Sequence, residues 1–381
     1  MNDATPLCGF TVGITASRRA EEFGTLLTRR GATVVYAPSI RIVPLADDLE
    51  LERVTREIIG NPPSIVVATT GIGFRGWMEA AEGWGLAESL TDSFAHVDLL
   101  ARGPKAKGAI RAAGLRETWS PESESSAEVL DHLLEAGVEG KRIAVQLHGA
   151  ITEWEPIPDF CEVLRCAGAE VIAVPVYRWT PPEEPGQLDR MIEMVTLGGL
   201  DAISFTSAPA VASMLGRAKE IGLLEPMLHA LRGRVAAVCV GPVTAAPLHQ
   251  LGVPTSEPSR ARLGALARHI VDELPRRANR IQASGHELSI RGCCVVVDGE
   301  VRQLPPAAMA LIRALGARPG RVVSRDELLG VLPGGGGDTH AVETAVARLR
   351  ASLGAPKAVQ TVVKRGYRLA LDPVECGEER L

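Results

Sequence analysis

The chain has 381 residues, 46% of them hydrophobic and 23% charged, with a formal net charge of −5. That length exceeds what one hydrophobic core organises, so two or three domains are expected, and no apolar run approaches the roughly 18 residues of a membrane span. Residues 1–10 carry no basic stretch followed by an apolar core, which points away from a secretory leader and towards the cytoplasm.

The seven cysteines form no CxxC pair, so buried or free thiols are expected rather than a metal site, and no cofactor is implied. The charge is unevenly spread. Between residues 301 and 370 eleven basic side chains stand against four acidic ones, which makes the remainder more acidic than the whole. A basic C-terminal segment on an acidic body places any phosphate-binding surface at the C-terminus.

In chain order, Thr11-Val12-Gly13-Ile14-Thr15 reads as a strand and residues 21–30 as a helix stopped at Gly31. Three features then recur at nearly one separation, the mark of a duplication. A strand entering a hydroxyl turn runs Val66-Val67-Ala68-Thr69-Thr70 and again Ile203-Ser204-Phe205-Thr206-Ser207. A helix-to-strand turn runs Gly31-Ala32-Thr33-Val34-Val35 and again Gly168-Ala169-Glu170-Val171-Ile172. An apolar strand ends in Gly103-Pro104 and again in Gly241-Pro242, and Ile143-Ala144-Val145-Gln146-Leu147 is the counterpart of the first strand.

Short runs rich in Val and Ile alternate with helical patterns, which argues for βαβ connections and hence two doubly wound α/β domains with parallel sheets. A ligand belongs at the carboxyl ends of such strands. There the turns at Thr69-Thr70, Gly103-Pro104, Thr206-Ser207 and Gly241-Pro242 offer hydroxyls and N–H groups at helix starts, suited to carboxylates or phosphates. Arg102, Lys105 and Lys107 add cations and His148 a titratable ring.

On these turns, on Gly241-Pro242-Val243-Thr244-Ala245 and on Val174-Pro175-Val176-Tyr177-Arg178, residues from about 9 to 274 resemble a uroporphyrinogen-III synthase. The resemblance implies two domains joined by a two-stranded connector, residues 1–43 with 174–274 forming one and 44–173 the other, and an acidic tetrapyrrole in the cleft. It implies that Tyr177 and the hydroxyls of Thr206, Ser207 and Thr244 hold or protonate hydroxymethylbilane as it closes with inversion of one ring. Tyr177 is therefore the candidate catalytic residue if the chain is an enzyme. The full ligand-binding expectation is Thr69, Thr70, Gly103, Lys105, Lys107, His148, Tyr177, Thr206, Ser207, Gly241 and Thr244. The first repeat departs from the family pattern: Thr69-Thr70-Gly71-Ile72 stands for Thr-Ser-Ala-Asn, and Ala106-Lys107 for Thr-Ala.

Residues 275–287 are polar and unpatterned and read as a linker, with a further domain at 288–372 and a tail at 373–381. That domain opens with a hairpin turned by Asp298-Gly299. A helix follows from Pro306 with Ala308, Leu311, Ile312 and Leu315 on one face, and Ser324 with Glu327 makes a capping box for a second helix that Pro333 and the glycines after it break. In a third helix, residues 340–353, the residues Val342, Ala345, Val346, Leu349 and Leu353 form an apolar stripe, while Thr344, Ala347, Arg348 and Ala351 lie opposite. Such a helix fits a major groove, with Arg348 at a base edge, Thr344 at a thymine methyl and Arg350 on a phosphate. A second hairpin with Lys364-Arg365-Gly366 at its tip, followed by Tyr367, completes a winged helix-turn-helix.

From Val297-Asp298-Gly299 through Pro319-Gly320-Arg321-Val322-Val323-Ser324-Arg325-Asp326-Glu327 to Gly366-Tyr367-Arg368-Leu369, this part resembles the effector domain of OmpR/PhoB-type response regulators. The resemblance implies double-stranded DNA as partner, a homodimer on it, and DNA contacts from Thr344, Arg348, Arg350, Lys364, Arg365 and Tyr367. The first strand ends in Thr15-Ala16-Ser17 rather than in an aspartate cluster, so phosphorylation is not the evident signal. The combination resembles actinobacterial regulators of nitrate and nitrite assimilation, a pathway whose nitrite reductase uses sirohaem made from uroporphyrinogen III. Two readings follow: a one-component regulator whose cleft senses a small acidic ligand, a tetrapyrrole by resemblance, or a working uroporphyrinogen-III synthase with a DNA-binding appendage.

Overall fold

A computed structural model describes residues 5–44, 49–122, 125–147, 160–333 and 339–373. The chain forms two compact units, residues Ser39–Pro185 inserted into a second unit of Met1–Pro38 and Gly186–Leu381. The connector strands Arg41–Pro44 and Tyr177–Thr180 pair antiparallel and belong to the inserted unit, so its limits lie outside the 44–173 expected from the sequence.

The inserted unit is built on a four-stranded parallel sheet in the order Asp98–Ala101, Ile65–Ala68, Arg142–Gln146, Glu170–Val174. Ile65–Ala68 is buried along its whole length, as a strand covered by helices on both faces must be. One face packs Trp77, Phe74 and Phe94, whose rings meet edge to face, and the Trp77 indole N–H donates to the Thr55 hydroxyl at 2.9 Å.

The other unit holds a five-stranded parallel sheet in the order Thr255–Ser256, Ala236–Cys239, Ala202–Phe205, Thr11–Ile14, Thr33–Tyr36. Setting aside the edge strand Thr255–Ser256, its order repeats that of the inserted sheet strand for strand, which is the duplication seen in the motifs. Each sheet reverses direction of winding once, between Thr11–Ile14 and Ala202–Phe205 here and between Ile65–Ala68 and Arg142–Gln146 in the insert. Doubly wound folds bind ligands at that crevice.

The winged helix follows the helix Leu263–Arg277 after a single residue, Ala278. The expected linker at 275–287 is therefore corrected: Asn279–Ala283 and His286–Ile290 are paired antiparallel strands, the first half of a four-stranded meander with Cys294–Val297 and Glu300–Gln303. Ile281, Ala283, Leu288 and Ile290 are buried while Arg280, Gln282 and Glu287 reach solvent, and Ser284 and Gly285 both have positive φ, so a tight primed turn joins the two strands. Asp298 and Gly299 make the same kind of turn where it was expected. Helices Pro306–Ala317, Arg325–Val331 and Thr339–Leu353 pack through Leu311, Ile312, Leu315, Leu328, Val342, Val346 and Leu349 onto the strands Val359–Val362 and Gly366–Leu369. The capping box at Ser324 and Glu327 is formed in both directions. Among the described residues no helix is long and apolar enough to cross a membrane.

Candidate functional site

In the inserted unit the strand Ile65–Ala68 delivers Thr69 and Thr70 to the start of the helix Gly71–Gly83. Thr69 is buried, and its hydroxyl donates to the Gln146 carbonyl at 2.6 Å. The Thr70 oxygen accepts from the Gly73 amide at 3.1 Å, capping the helix, and lies 3.2 Å from the Tyr177 hydroxyl. Gln146, polar at the end of an otherwise apolar strand, accepts from the Thr70 amide at 3.0 Å and also contacts the Leu147 carbonyl. These two hydroxyls are thus spent on holding the turn and the buried Tyr177 in place. Gln146 is the residue that the sequence argument passed over, and its single signal was a carboxamide inside a buried strand.

Gly103 caps the helix Pro104–Ala112 through extended backbone with no side-chain cap, so the N–H groups of that first turn stay open to an anion. Gly71 lies against the Lys105 backbone carbonyl so closely that a Cβ would overlap it, which fixes the two helix starts side by side. Lys105 is exposed, whereas the Lys107 ammonium stands 3.6 Å from the Glu117 carboxylate, which also pairs with Arg111. The Arg111 hydrogen bond holds the Glu117 carboxyl down to about 2 against the opposing effect of burial, with charge from Lys107 the weakest contribution. A lowered carboxyl stabilises the fold above its ordinary value near 4.5 and loses that contribution as pH falls towards 2. Acid unfolding of the native chain in urea is expected to steepen across that interval and to flatten in Glu117→Gln, and an unchanged pH profile would contradict the pairing.

In the other unit Thr206 and Ser207 are partly exposed at the end of Ala202–Phe205, and Ser207 starts the helix Ala208–Glu220 with no side-chain cap bond. Gly241 starts the helix Pro242–Gln250, again without a side-chain cap, with Thr244 buried one turn in. Beside them the Thr15 hydroxyl donates to the Ser204 carbonyl and the Ser204 hydroxyl to the Gly13 carbonyl, each at 2.8 Å, locking the two strands at the crevice. His148 lies outside the described residues. Thr69, Thr70, Gly103, Lys105, Lys107 and Tyr177 share one unit, and Thr206, Ser207, Gly241 and Thr244 the other.

The candidate nucleic-acid surface is built on Thr339–Leu353. Val342, Val346, Leu349 and Leu353 are buried, and Thr344, Ala347, Arg348 and Ala351 are exposed opposite. Among the described residues the Arg348, Lys364 and Arg365 side chains make no hydrogen bond or ion pair. Arg350 is placed differently from the sequence expectation: its guanidinium donates to the Val359 carbonyl at 2.7 and 3.0 Å and to the Thr361 hydroxyl at 2.8 Å, tying the helix to the wing. Tyr367 is 4% exposed and sits in the core, with the Arg325 and Arg350 guanidiniums 5.6 and 5.9 Å from its ring. Arg350 and Tyr367 thus tie the helix Thr339–Leu353 to the wing and core, and among the described residues the cations left without a partner on this surface are Arg348, Lys364 and Arg365.

The fold and these turns define a duplicated α/β module, with a parallel sheet in each unit, fused to a winged-helix DNA-binding domain. A family model described as uroporphyrinogen-III synthase HemD matches residues 21–268, and the chain belongs to that family. A second, described as transcriptional regulatory protein, C terminal, matches residues 299–369, an OmpR/PhoB-type DNA-binding domain. The protein named YjjA of Bacillus subtilis is 30% identical over 261 residues, 68% of this chain and 94% of that protein. A crystal structure of a mutant uroporphyrinogen III synthase from Thermus thermophilus covers 70% of this chain and 100% of its own, at 28% identity and a TM-score of 0.60. The transcriptional regulatory protein CseB of Streptomyces avermitilis is 38% identical over 85 residues, 22% of this chain and 36% of that protein.

Proposed function

We propose that the protein is a sequence-specific, DNA-binding transcription regulator of the cytoplasm whose synthase-like module binds a small acidic ligand. The observation that carries the first half is the exposed face Thr344, Ala347, Arg348 and Ala351, in which small residues clear the way for a cation with no partner among the described residues. The second half rests on uncapped helix starts at Ser207, Gly103 and Gly241, where N–H groups favour carboxylates. Membership of the synthase family supports a tetrapyrrole as that ligand, and on this reading two copies of the chain pair on DNA. The target genes are those of nitrate and nitrite assimilation, whose nitrite reductase consumes a tetrapyrrole cofactor. That choice of genes rests on the resemblance alone.

Commitment of the Thr69 and Thr70 hydroxyls to the protein's own groups argues against catalysis at that turn and leaves ligand contact there to other groups. The Tyr177 hydroxyl, retained 3.2 Å from Thr70, favours the second reading, a working synthase with a DNA-binding appendage. Incubation with hydroxymethylbilane followed by separation of the ring isomers decides between them. The regulator reading expects ring closure without inversion at the rate of the protein-free control. Rapid formation of isomer III overturns it in favour of the enzyme.

A further inference from the structure

The winged helix is joined to the lobe before it by more than chain continuity. At the turn between His286–Ile290 and Cys294–Val297, the Arg291 guanidinium donates to the Pro6 carbonyl at 3.1 Å and the Cys8 carbonyl at 2.9 Å, and lies 5.1 Å from the Phe10 ring. The Cys293 amide donates to the Gly9 carbonyl at 2.8 Å, and the Cys294 thiol meets the Cys8 carbonyl at 3.7 Å. Gly9 has φ +84°, and a Cβ on it would overlap the Cys294 sulfur. Gly292 lies against the Asp201 carboxylate with no room for a side chain, and that carboxylate accepts from the Thr11 amide at 2.7 Å. Burial raises the Asp201 carboxyl, opposed by the Thr11 amide and by Arg313 of the helix Pro306–Ala317. Only Ala278 separates the last helix of the lobe from the first strand of the winged helix.

Every lobe residue in this seam stands at the amino ends of the parallel strands. Thr11 begins Thr11–Ile14, and Asp201 immediately precedes Ala202–Phe205. The candidate ligand turn Thr206-Ser207 stands at the carboxyl end of Ala202–Phe205, which the Thr15, Ser204 and Gly13 hydrogen bonds clamp to Thr11–Ile14. The helix Thr339–Leu353 packs chiefly on the helices Pro306–Ala317 and Arg325–Val331.

We propose that the seam of Arg291, Gly292, Cys293 and Cys294 against residues 6–11 and Asp201 locks the winged helix and its lobe into one rigid body. On this arrangement the DNA reader is not a tethered domain released by a signal. It is carried at the amino ends of two clamped strands, one of which, Ala202–Phe205, bears the Thr206-Ser207 turn at its other end, so any displacement of Thr11–Ile14 or Ala202–Phe205 moves the reader directly. The seam does not depend on which ligand binds.

Hydrogen–deuterium exchange of the full chain tests this. In the native protein, segments 6–11 and 291–294 are expected to exchange as slowly as the buried strand Cys294–Val297 that adjoins them. Gly292→Val, which drives a side chain into Asp201, is expected to speed exchange at least tenfold in both segments while 306–317 stays protected. Arg291→Ala, which removes two hydrogen bonds and the contact with Phe10 without driving any group into a neighbour, is expected to do the same to a smaller degree and serves if the valine variant does not fold. Fast exchange of either segment in the native chain, or acceleration in only one of the two by Arg291→Ala, overturns the lock.

Discussion

Replacing Arg348 by alanine is expected to lower affinity for the specific operator roughly tenfold to a hundredfold, since a good base-edge contact discriminates by about 1–3 kcal/mol. Non-specific, salt-dependent binding should be largely retained, because Lys364 and Arg365 still supply cations and phosphate contacts are insensitive to sequence. The helix itself should survive: Arg348 is exposed, alanine is a better helix former, and the buried stripe of Val342, Val346 and Leu349 is untouched. Competitive binding with operator and scrambled duplex at several salt concentrations separates the two effects. Unchanged operator preference would show that the wrong face of Thr339–Leu353 has been assigned.

Gly366→Ala is expected to cost roughly 1–3 kcal/mol from backbone conformation alone, because φ at this position is +136°, a region in effect restricted to glycine. A steric term adds to it: a Cβ on Gly366 would overlap the Val323 carbonyl. Tyr367 exchanges hydrogen bonds with Val323, at 2.8 and 3.0 Å, so a shift of Gly366 loosens the ring against which Arg325 and Arg350 lie. Arg350 in turn anchors the recognition helix to the wing through Val359 and Thr361. One methyl group at the wing should therefore weaken both folding of the domain and operator binding, and denaturant unfolding with the same binding assay would register both. Loss of neither would mean the wing is more plastic than its hydrogen bonding implies.

Arginine 350 shows how far a sequence can be read. The 3.6-residue period put it on the flank of the recognition helix, and it does lie there, but no local pattern tells that the Val359 carbonyl arrives beside it from across a turn. Tyr367 is the same case, since its burial is set by strands and helices distant in the chain. The hairpin at Asp298-Gly299 was legible because the turn dipeptide is a common one. Its twin at Ser284-Gly285 was not, because a less typical dipeptide joins strands whose outward residues, Arg280, Gln282 and Glu287, are all polar. The duplicated sheets could be read from three recurring turns. The roles of Gln146 and of the seam at Arg291 could not, being contacts between residues far apart in sequence, and the pairing of Glu117 with Arg111 and Lys107 depends on how the chain turns after the helix Pro104–Ala112. The turns mark where a ligand is expected, while the commitment of Thr69 and Thr70 to the protein itself follows from contacts with Gln146 and Tyr177, both distant in the chain.

The central claim joins an acidic ligand at the synthase-like turns to sequence-specific DNA binding at the other end of the chain. Operator duplex selected from genomic DNA by the purified full chain, retested by titration with and without uroporphyrinogen III, tests it most directly. The account predicts a defined operator and a shift of at least fivefold in its affinity when the tetrapyrrole is added, on the scale of about 1 kcal/mol or more of coupling. Ser207→Ala should diminish the shift without changing affinity in the absence of ligand. Selection of no preferred sequence, or an operator affinity indifferent to the tetrapyrrole at saturating concentration, would contradict it.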